Sequence, residues 1–309
     1  MTLQQIKYVL ALDSHRHFVN AAESCFVGQS TLTIQVKKLE EEIGVTLFDR
    51  NEHPLKPTPL GEIFIAKSRQ IMREIQELKD IFNDELSQIK GIFKAGIIPT
   101  LTPYLLPTFV DSFFKKHNQT FFEIEELESE SIIQSLKIGK LDLAIMATPL
   151  NDTQLREIPL FYEPFLLFAH EKNQMLKNRK IKISELTYTD IWLLKQGHCF
   201  RNQIINICDL KHLNPNRNIL LEGGNIETLK IMIKQTSGYT LIPELAFNEN
   251  LDKNNVIRFE APEPCREISL VVHKNFNKEK LIEELRKSIL ASIPKKFKTN
   301  ERFYTVKWR

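Results

Sequence analysis

At 309 residues, 42% apolar and 26% charged, the chain is long enough for two or three domains with their own cores; it has neither the ~20-residue apolar run of a membrane span nor a secretion-signal pattern, so a cytoplasmic protein is expected. The net charge of +3 hides an asymmetry, because residues 1–90 carry 11 Lys and Arg against 13 Asp and Glu, so no bulk basic patch announces nucleic acid. Four cysteines, Cys25, Cys199, Cys208 and Cys265, are too few for a disulfide scaffold and form no CxxC pair or Cys/His cluster, so no metal or cofactor is expected.

The first ninety residues read as helical throughout. Leu3, Ile6, Val9, Leu10 and Leu12 follow helical spacing, residues 17–27 repeat the pattern more briefly, and Gly28 breaks it. Leu32, Val36, Leu39 and Ile43 then form one stripe that stops at Gly44. Helix, turn, helix is a DNA-binding pattern, and the second helix would present Gln29, Ser30, Thr31, Thr33, Gln35 and Lys37 away from the stripe, as donors for phosphates and base edges. The segment "FDRNEHPLKPTPLG" carries three prolines, which favour an extended wing and place Arg50 toward a DNA backbone. A helix then runs over 61–90 with Ile71, Ile75, Leu78 and Phe82 on a stripe that needs a partner, most naturally its own copy.

From Gly91 the pattern becomes α/β. "IFKAGII", "TFFEIEEL" and "LDLAIMA" read as strands separated by the helices "LTPYLLPTFVDSFFKKH" and "IIQSLKIG", which predicts βαβ units and a mostly parallel sheet. A second such region runs through "FLLFAH", "DIWLLK", "NILLE", "NIETLKIMIKQ" and "YTLIPE" to "EISLVVHK" and "KEKLIEELRKSILASI". Two α/β lobes with a cleft between them follow. Between the strands, "GHCFRNQIINIC" reads as a short helix with Cys199 at its start and Cys208 on its apolar stripe. After Pro294, "KKFKTNERFYTVKWR" holds six basic residues and one acidic residue, which reads as a solvated, frayed tail.

The stretch "AAESCFVGQSTLTIQVKKLEEEIGVTLFDR" resembles the DNA-binding signature of LysR-type transcriptional regulators: Ala-Ala, a spaced Ser-Gln, a recognition helix, Lys-Leu-Glu and Leu-Phe-x-Arg. Here Gln29-Ser30 follows a Gly28 where that family usually has Ser. The resemblance continues through "GIIPTLTPYLLP", "GKLDLAI" and "SGYTLIPELA" over roughly the whole chain, and is tighter to the OxyR-type peroxide sensors through "IPTLTPYLLP", "LFYEP", "GHCFRNQIINIC" and "PEPCREISLVV". It implies a winged helix-turn-helix domain (1–60), a dimerising linker helix (61–90) and a two-lobed, periplasmic-binding-protein-like redox-sensing domain (91–294), leaving the basic tail (295–309). It implies that Cys199 reacts with hydrogen peroxide and that Cys208 is its disulfide partner. Thr100, Ser129, His198, Arg201 and Arg266 then line the peroxide pocket, Ser129 standing where such proteins commonly have Thr. Implied partners are double-stranded DNA half-sites, RNA polymerase, a thiol reductant and a second or fourth copy of the chain; no enzyme activity and no membrane is implied.

Only a thiolate attacks peroxide, so Cys199 is expected to have its pKa lowered by the helix N-terminus and by Arg201. Nine positions of continuous helix separate the two Cα atoms by ~13.5 Å, against the ~4.4–6.8 Å a disulfide tolerates, so bridging requires unwinding. Other readings stay open. Both thiols can be small core residues, with Cys25 and Cys265 inert; His198 can be a packed neighbour; and the chain can answer a small organic effector in the cleft or act as a thiol peroxidase.

Overall fold

Thr2 opens the fold by accepting the N–H of Gln5, whose side chain accepts the N–H of Thr2 in return; this capping box starts helix α1 (Leu3–His15). Helices α2 (Phe18–Ser24) and α3 (Gln29–Ile43) follow, and α3 ends on Gly44 in the left-handed conformation, φ 74°. Val9, Leu12, Ala21, Leu32, Val36, Leu39, Leu47 and Ile65 are buried together, so the three apolar stripes read from the sequence meet in one core. The wing is a two-stranded antiparallel ribbon, β1 (Phe48–Asp49) on β2 (Lys56–Pro57). Helix α4 (Pro59–Asn83) leaves this domain, ~37 Å long at ~1.5 Å per residue.

The computed structural model describes residues 1–83, 89–186, 190–195, 197–208 and 225–309. Residues 84–88 of the expected linker helix, the expected strand "NILLE" and the side chain of Phe82 therefore lie outside what is described. The chain divides into two compact units, one containing residues 1–88 and the other containing 89–137 and 141–309.

The second unit contains β3 (Gly91–Ile97), α5 (Thr102–Lys116), β4 (Thr120–Glu126), α6 (Ser129–Lys137), β5 (Leu143–Thr148), β6 (Leu155–Ala169), α7 (Cys199–Cys208), α8 (Ile226–Gln235), β7 (Tyr239–Pro243), α9 (Glu249–Asp252), β8 (Val256–Arg258), β9 (Glu263–His273), α10 (Glu279–Ser292) and β10 (Phe303–Thr305). The strand order is β4-β3-β5-β9-β6-β7, with β10 on β9 and β8 on β6. The expectation of a mostly parallel sheet needs correction. β3 is parallel to β4 and β5, but β9 runs antiparallel to β5 and β6, and β6 antiparallel to β7 and β8. The reason is the length of β6: its first part, through Pro164, pairs with β9, and Phe165–Ala169 pairs with β7, so one 15-residue strand serves both lobes. Only the apolar second half, "FLLFAH", looked like a strand in sequence. The segment "DIWLLK" makes an isolated bridge from Ile191 to Tyr239 rather than a strand.

Each lobe has its own core. Phe93, Ile97, Leu105, Phe109, Ile132, Leu143, Met146 and Leu270 belong to the first, Phe165, Leu167, Phe200, Ile204, Leu229 and Leu241 to the second. The tail is also folded, against expectation. β10 pairs in parallel with β9, Phe297, Val306 and Trp308 are buried, and Val306 donates to Cys265 O at 2.8 Å. Its basic residues alternate with Phe, Tyr, Val and Trp, and these aromatic and apolar side chains decide its position.

Candidate redox site and nucleic-acid interface

Cys199 is the first residue of α7 and only 2% exposed. The chain enters the helix through Gly197 at φ 103°, a backbone angle that favours glycine, and a Cβ there would meet only the movable carboxylate of Glu128. Phe200, Ile204 and Ile207 fix α7 to the second lobe's core, while Cys199 itself packs in the first lobe's core. The thiol thus sits where the lobes join.

Around it lies a buried polar network. Arg266 and Glu163 are both fully buried, and Arg266 Nε and Nη2 reach Glu163 Oε2 at 2.9 and 2.8 Å. Arg266 Nη1 donates to Thr100 Oγ1 at 2.7 Å and Nη2 to Thr100 O at 3.1 Å, and its guanidinium stands 5.7 Å above the Phe200 ring. Glu163 Oε1 accepts the Leu245 N–H at 2.9 Å. Ser129 Oγ and His198 Nε2 are buried without a hydrogen-bond partner among the described residues. The Ser129 hydroxyl nonetheless stands close enough to the Cys199 sulfur to draw its thiol pKa downward. His198 borders an open cleft of about 540 Å³ whose lining includes Glu126, Glu128 and Lys195.

The electrostatics correct one expectation. Burial pushes the Cys199 thiol above its ordinary value; Ser129, the Arg266 charge and the N–H groups of Phe200 and Cys199 pull the other way without prevailing. The helix N-terminus acts in the expected direction, but desolvation of a nearly sealed sulfur outweighs it. Arg201 Nη1 donates to Leu194 O at 2.9 Å, and the positive charge that acts on Cys199 includes that of Arg266. Burial also pushes the His198 imidazole down, against Glu128, so it is neutral at pH 7 and can donate or accept.

Cys208 ends the same ten-residue helix, half-buried against the second core, with its thiol pushed up to about 12 by burial. The two sulfurs are free thiols, and a continuous α7 keeps their Cα atoms ~13.5 Å apart. Cys25 is half-buried beside the first unit's core; Cys265 is buried on β9, its sulfur 3.7 Å from Thr305 Oγ1. Among the described residues no cluster of three or more His, Cys, Asp or Glu could hold a metal.

In the first unit, Gln29, Ser30, Thr31 and Lys37 are exposed on α3, while Thr33 and Gln35 are half-buried. Thr33 Oγ1 donates to Gln29 O at 2.8 Å and Gln35 Oε1 accepts from Gln5 Nε2 at 3.4 Å, so these two also serve the fold. Arg50 is tied to Glu40 at 3.0 Å and lies over the Phe18 ring at 5.7 Å, a partly structural role the sequence did not reveal. Ile34, 53% exposed on the same surface, escaped the reading because only polar positions were sought there; an apolar residue off the buried stripe is the signal for it. Glu163 was missed for the complementary reason, as one carboxylate ahead of an apolar run.

The LysR-family helix-turn-helix model matches residues 3–62, and the LysR substrate-binding-domain model matches residues 87–293. The chain belongs to the LysR family. Members of this family are DNA-binding regulators rather than enzymes, which sets aside the thiol peroxidase reading. Among relatives of this LysR-family chain is the DNA-binding transcriptional dual regulator OxyR of Escherichia coli, 31% identical over 94% of this chain and 95% of the relative. Another is the hydrogen peroxide-inducible genes activator of Dickeya chrysanthemi, 32% identical over 88% and 89%. Full-length OxyR from Pseudomonas aeruginosa, solved as a variant, superposes with a TM-score of 0.81 at 30% identity, covering 95% of this chain and 99% of that one. The winged helix-turn-helix and two-lobed α/β layout expected from sequence is the layout of this family. No helix among the described residues is long and apolar enough to cross a membrane.

Proposed function

We propose that this LysR-family regulator senses hydrogen peroxide through Cys199 and is switched by a reversible Cys199–Cys208 disulfide. The observation that carries the reading is the placement of Cys199 beside two unpartnered buried polar atoms, Ser129 Oγ and His198 Nε2, and next to Arg266. A small neutral molecule able both to donate and to accept hydrogen bonds satisfies both atoms; peroxide is such a molecule. Thr100 acts through Arg266, whose guanidinium it holds. Arg201 holds the segment before α7.

The chemistry balances without a cofactor. The Cys199 thiolate attacks one peroxide oxygen, the O–O bond breaks, and the departing hydroxide takes a proton to leave as water. Cys199 is then a sulfenic acid, oxidised by two electrons. The Cys208 thiolate attacks that sulfur, the S–S bond forms, and the hydroxyl leaves as a second water. An external dithiol restores both thiols and is itself oxidised to the disulfide. Because the bridge cannot span a continuous α7, bridge formation and refolding of residues 199–208 are one event, which gives the domain two conformations to report.

At the other end, α3 enters the major groove of double-stranded DNA, with Gln29, Ser30, Thr31 and Ile34 at bases and Thr33, Gln35, Lys37 and Arg50 near the phosphates. Half-sites require two copies. Leu60, Ile63, Ile71 and Leu78 leave α4 with apolar side chains 36–62% exposed, and we assign them to a homodimer seam, on which a tetramer can build. RNA polymerase is the partner of an activating regulator, and the cytoplasm is its compartment. Footprinting reduced and peroxide-treated protein on one promoter tests the whole reading: the expected result is two different footprints. Identical footprints, with an altered one on adding an organic effector, would instead make the interlobe cleft the sensor.

A further inference from the structure

Three polar side chains of α7, exposed Asn202 and Asn206 and buried Gln203, all point at one object. Asn202 Nδ2 donates to Trp308 O at 3.3 Å, Gln203 Nε2 to Val306 O at 3.0 Å, and Asn206 Nδ2 to Lys307 O at 2.8 Å. Three successive carbonyls of the C-terminal segment are thereby each bonded to the helix that carries both Cys199 and Cys208. The segment is anchored at its other contacts to parts of the domain that hold the reactive pocket. β10 pairs with β9 beside Cys265 and Arg266, Trp308 Nε1 donates to Ala147 O at 3.2 Å, and Arg309 Nη2 reaches both carboxylate oxygens of Glu130, next to Ser129, at 2.6 Å. Val306 and Trp308 are 1% and 5% exposed. An unattached basic tail would show none of this.

We propose that residues 303–309 are a clamp that holds α7 wound in the reduced protein, and that Asn202, Gln203 and Asn206 are the positioning residues through which it sets how readily Cys208 reaches an oxidised Cys199. The inference rests on the disulfide reading above. Attack of peroxide on Cys199 needs only the first residue of α7, so the clamp leaves that step alone. Closure of the bridge needs the helix to unwind between Cys199 and Cys208, and unwinding carries the donors of Asn202, Gln203 and Asn206 away from the carbonyls they hold. Each net hydrogen bond contributes about five-fold to an equilibrium, so losing the two exposed ones should raise the opening of α7 about ten- to thirty-fold. The clamp makes the sensor wait: Cys199 oxidises at a rate set by its pocket, and the switch closes at a rate set by the tail.

The test is the full-length double variant Asn202→Ala/Asn206→Ala, whose mutated side chains are exposed and leave both cores intact. A second variant lacking residues 306–309 removes all three acceptors. Sulfenic acid formation is followed by dimedone trapping in a Cys208→Ser background, where no closure competes for the sulfenic acid, bridge closure by non-reducing peptide mapping after rapid quench, and helix opening by amide exchange of residues 200–207 in the reduced state. The expected result is unchanged dimedone trapping, closure about ten-fold faster and faster exchange in the double variant, with a larger effect in the truncation. Unchanged exchange and unchanged closure in the double variant would overturn the clamp. Faster exchange with no Cys199–Cys208 linkage even in wild type would support the clamp's hold on α7 and overturn the disulfide reading instead.

Discussion

Arg266 shows what a single buried side chain can decide. It is fully sealed, and one of its neighbours, Glu163, carries the compensating charge. Arg266→Met should cost about 3–5 kcal/mol in chemical denaturation, because it strands a buried carboxylate; a loss below 1 kcal/mol would show that Glu163 finds another partner. Glu163→Gln keeps an acceptor for the guanidinium but removes the negative charge that offsets it. The Cys199 thiol, raised by burial, should react with peroxide about ten times faster per pH unit from pH 7 to 8.5, because thiolate accumulates as pH climbs toward its pKa. In Glu163→Gln the rate profile should move to lower pH and the rate at pH 7 should rise several-fold, measured by stopped-flow under excess peroxide. An unmoved profile would mean Arg266 does not act on the sulfur electrostatically. These residues mark the limit of sequence reading. Cys199, Ser129 and Thr100 were reachable through motifs, whereas Glu163 is brought to Arg266 across 103 positions by the pairing of β6 with β9. Arg201 was chosen by nearness in sequence, which could not show that its guanidinium donates to Leu194 O.

At the scale of elements, amphipathic periodicity served well where one face is buried and poorly where two are. Helices α1, α3, α5 and α10 were legible from their stripes, but β6 was seen only in part, since two prolines and a bulge near Pro159 interrupt its first half. The tail was misread because charge count outweighed its alternating aromatic residues. Gly28, φ −70°, caps α3 without a side-chain bond, and a Cβ there meets nothing closer than 3.8 Å. Gly28→Ser should therefore stabilise the first domain by a few tenths of a kcal/mol in thermal unfolding, and not strain the turn. For α4 the expected outcome concerns assembly: Ile71→Lys should lower the sedimentation mass toward monomer at micromolar concentration and weaken half-site binding, while dimedone trapping of Cys199 stays unchanged. A persistent dimer in that variant would move the interface off this helix.

For the whole molecule, Cys199 packs in one lobe's core and the remainder of α7 in the other's, so under the proposed disulfide switch the two-lobed layout would turn a local oxidation into a change the chain can report. The bridge itself is tested by non-reducing peptide mapping of wild type and Cys208→Ser after one equivalent of peroxide. The expected result is a Cys199–Cys208 linked peptide in wild type, and in Cys208→Ser a Cys199 that stops at sulfenic acid or passes to sulfinic and sulfonic forms. Peroxide-treated wild type with both thiols still free, or with Cys199 oxidised and Cys208 untouched, would contradict it.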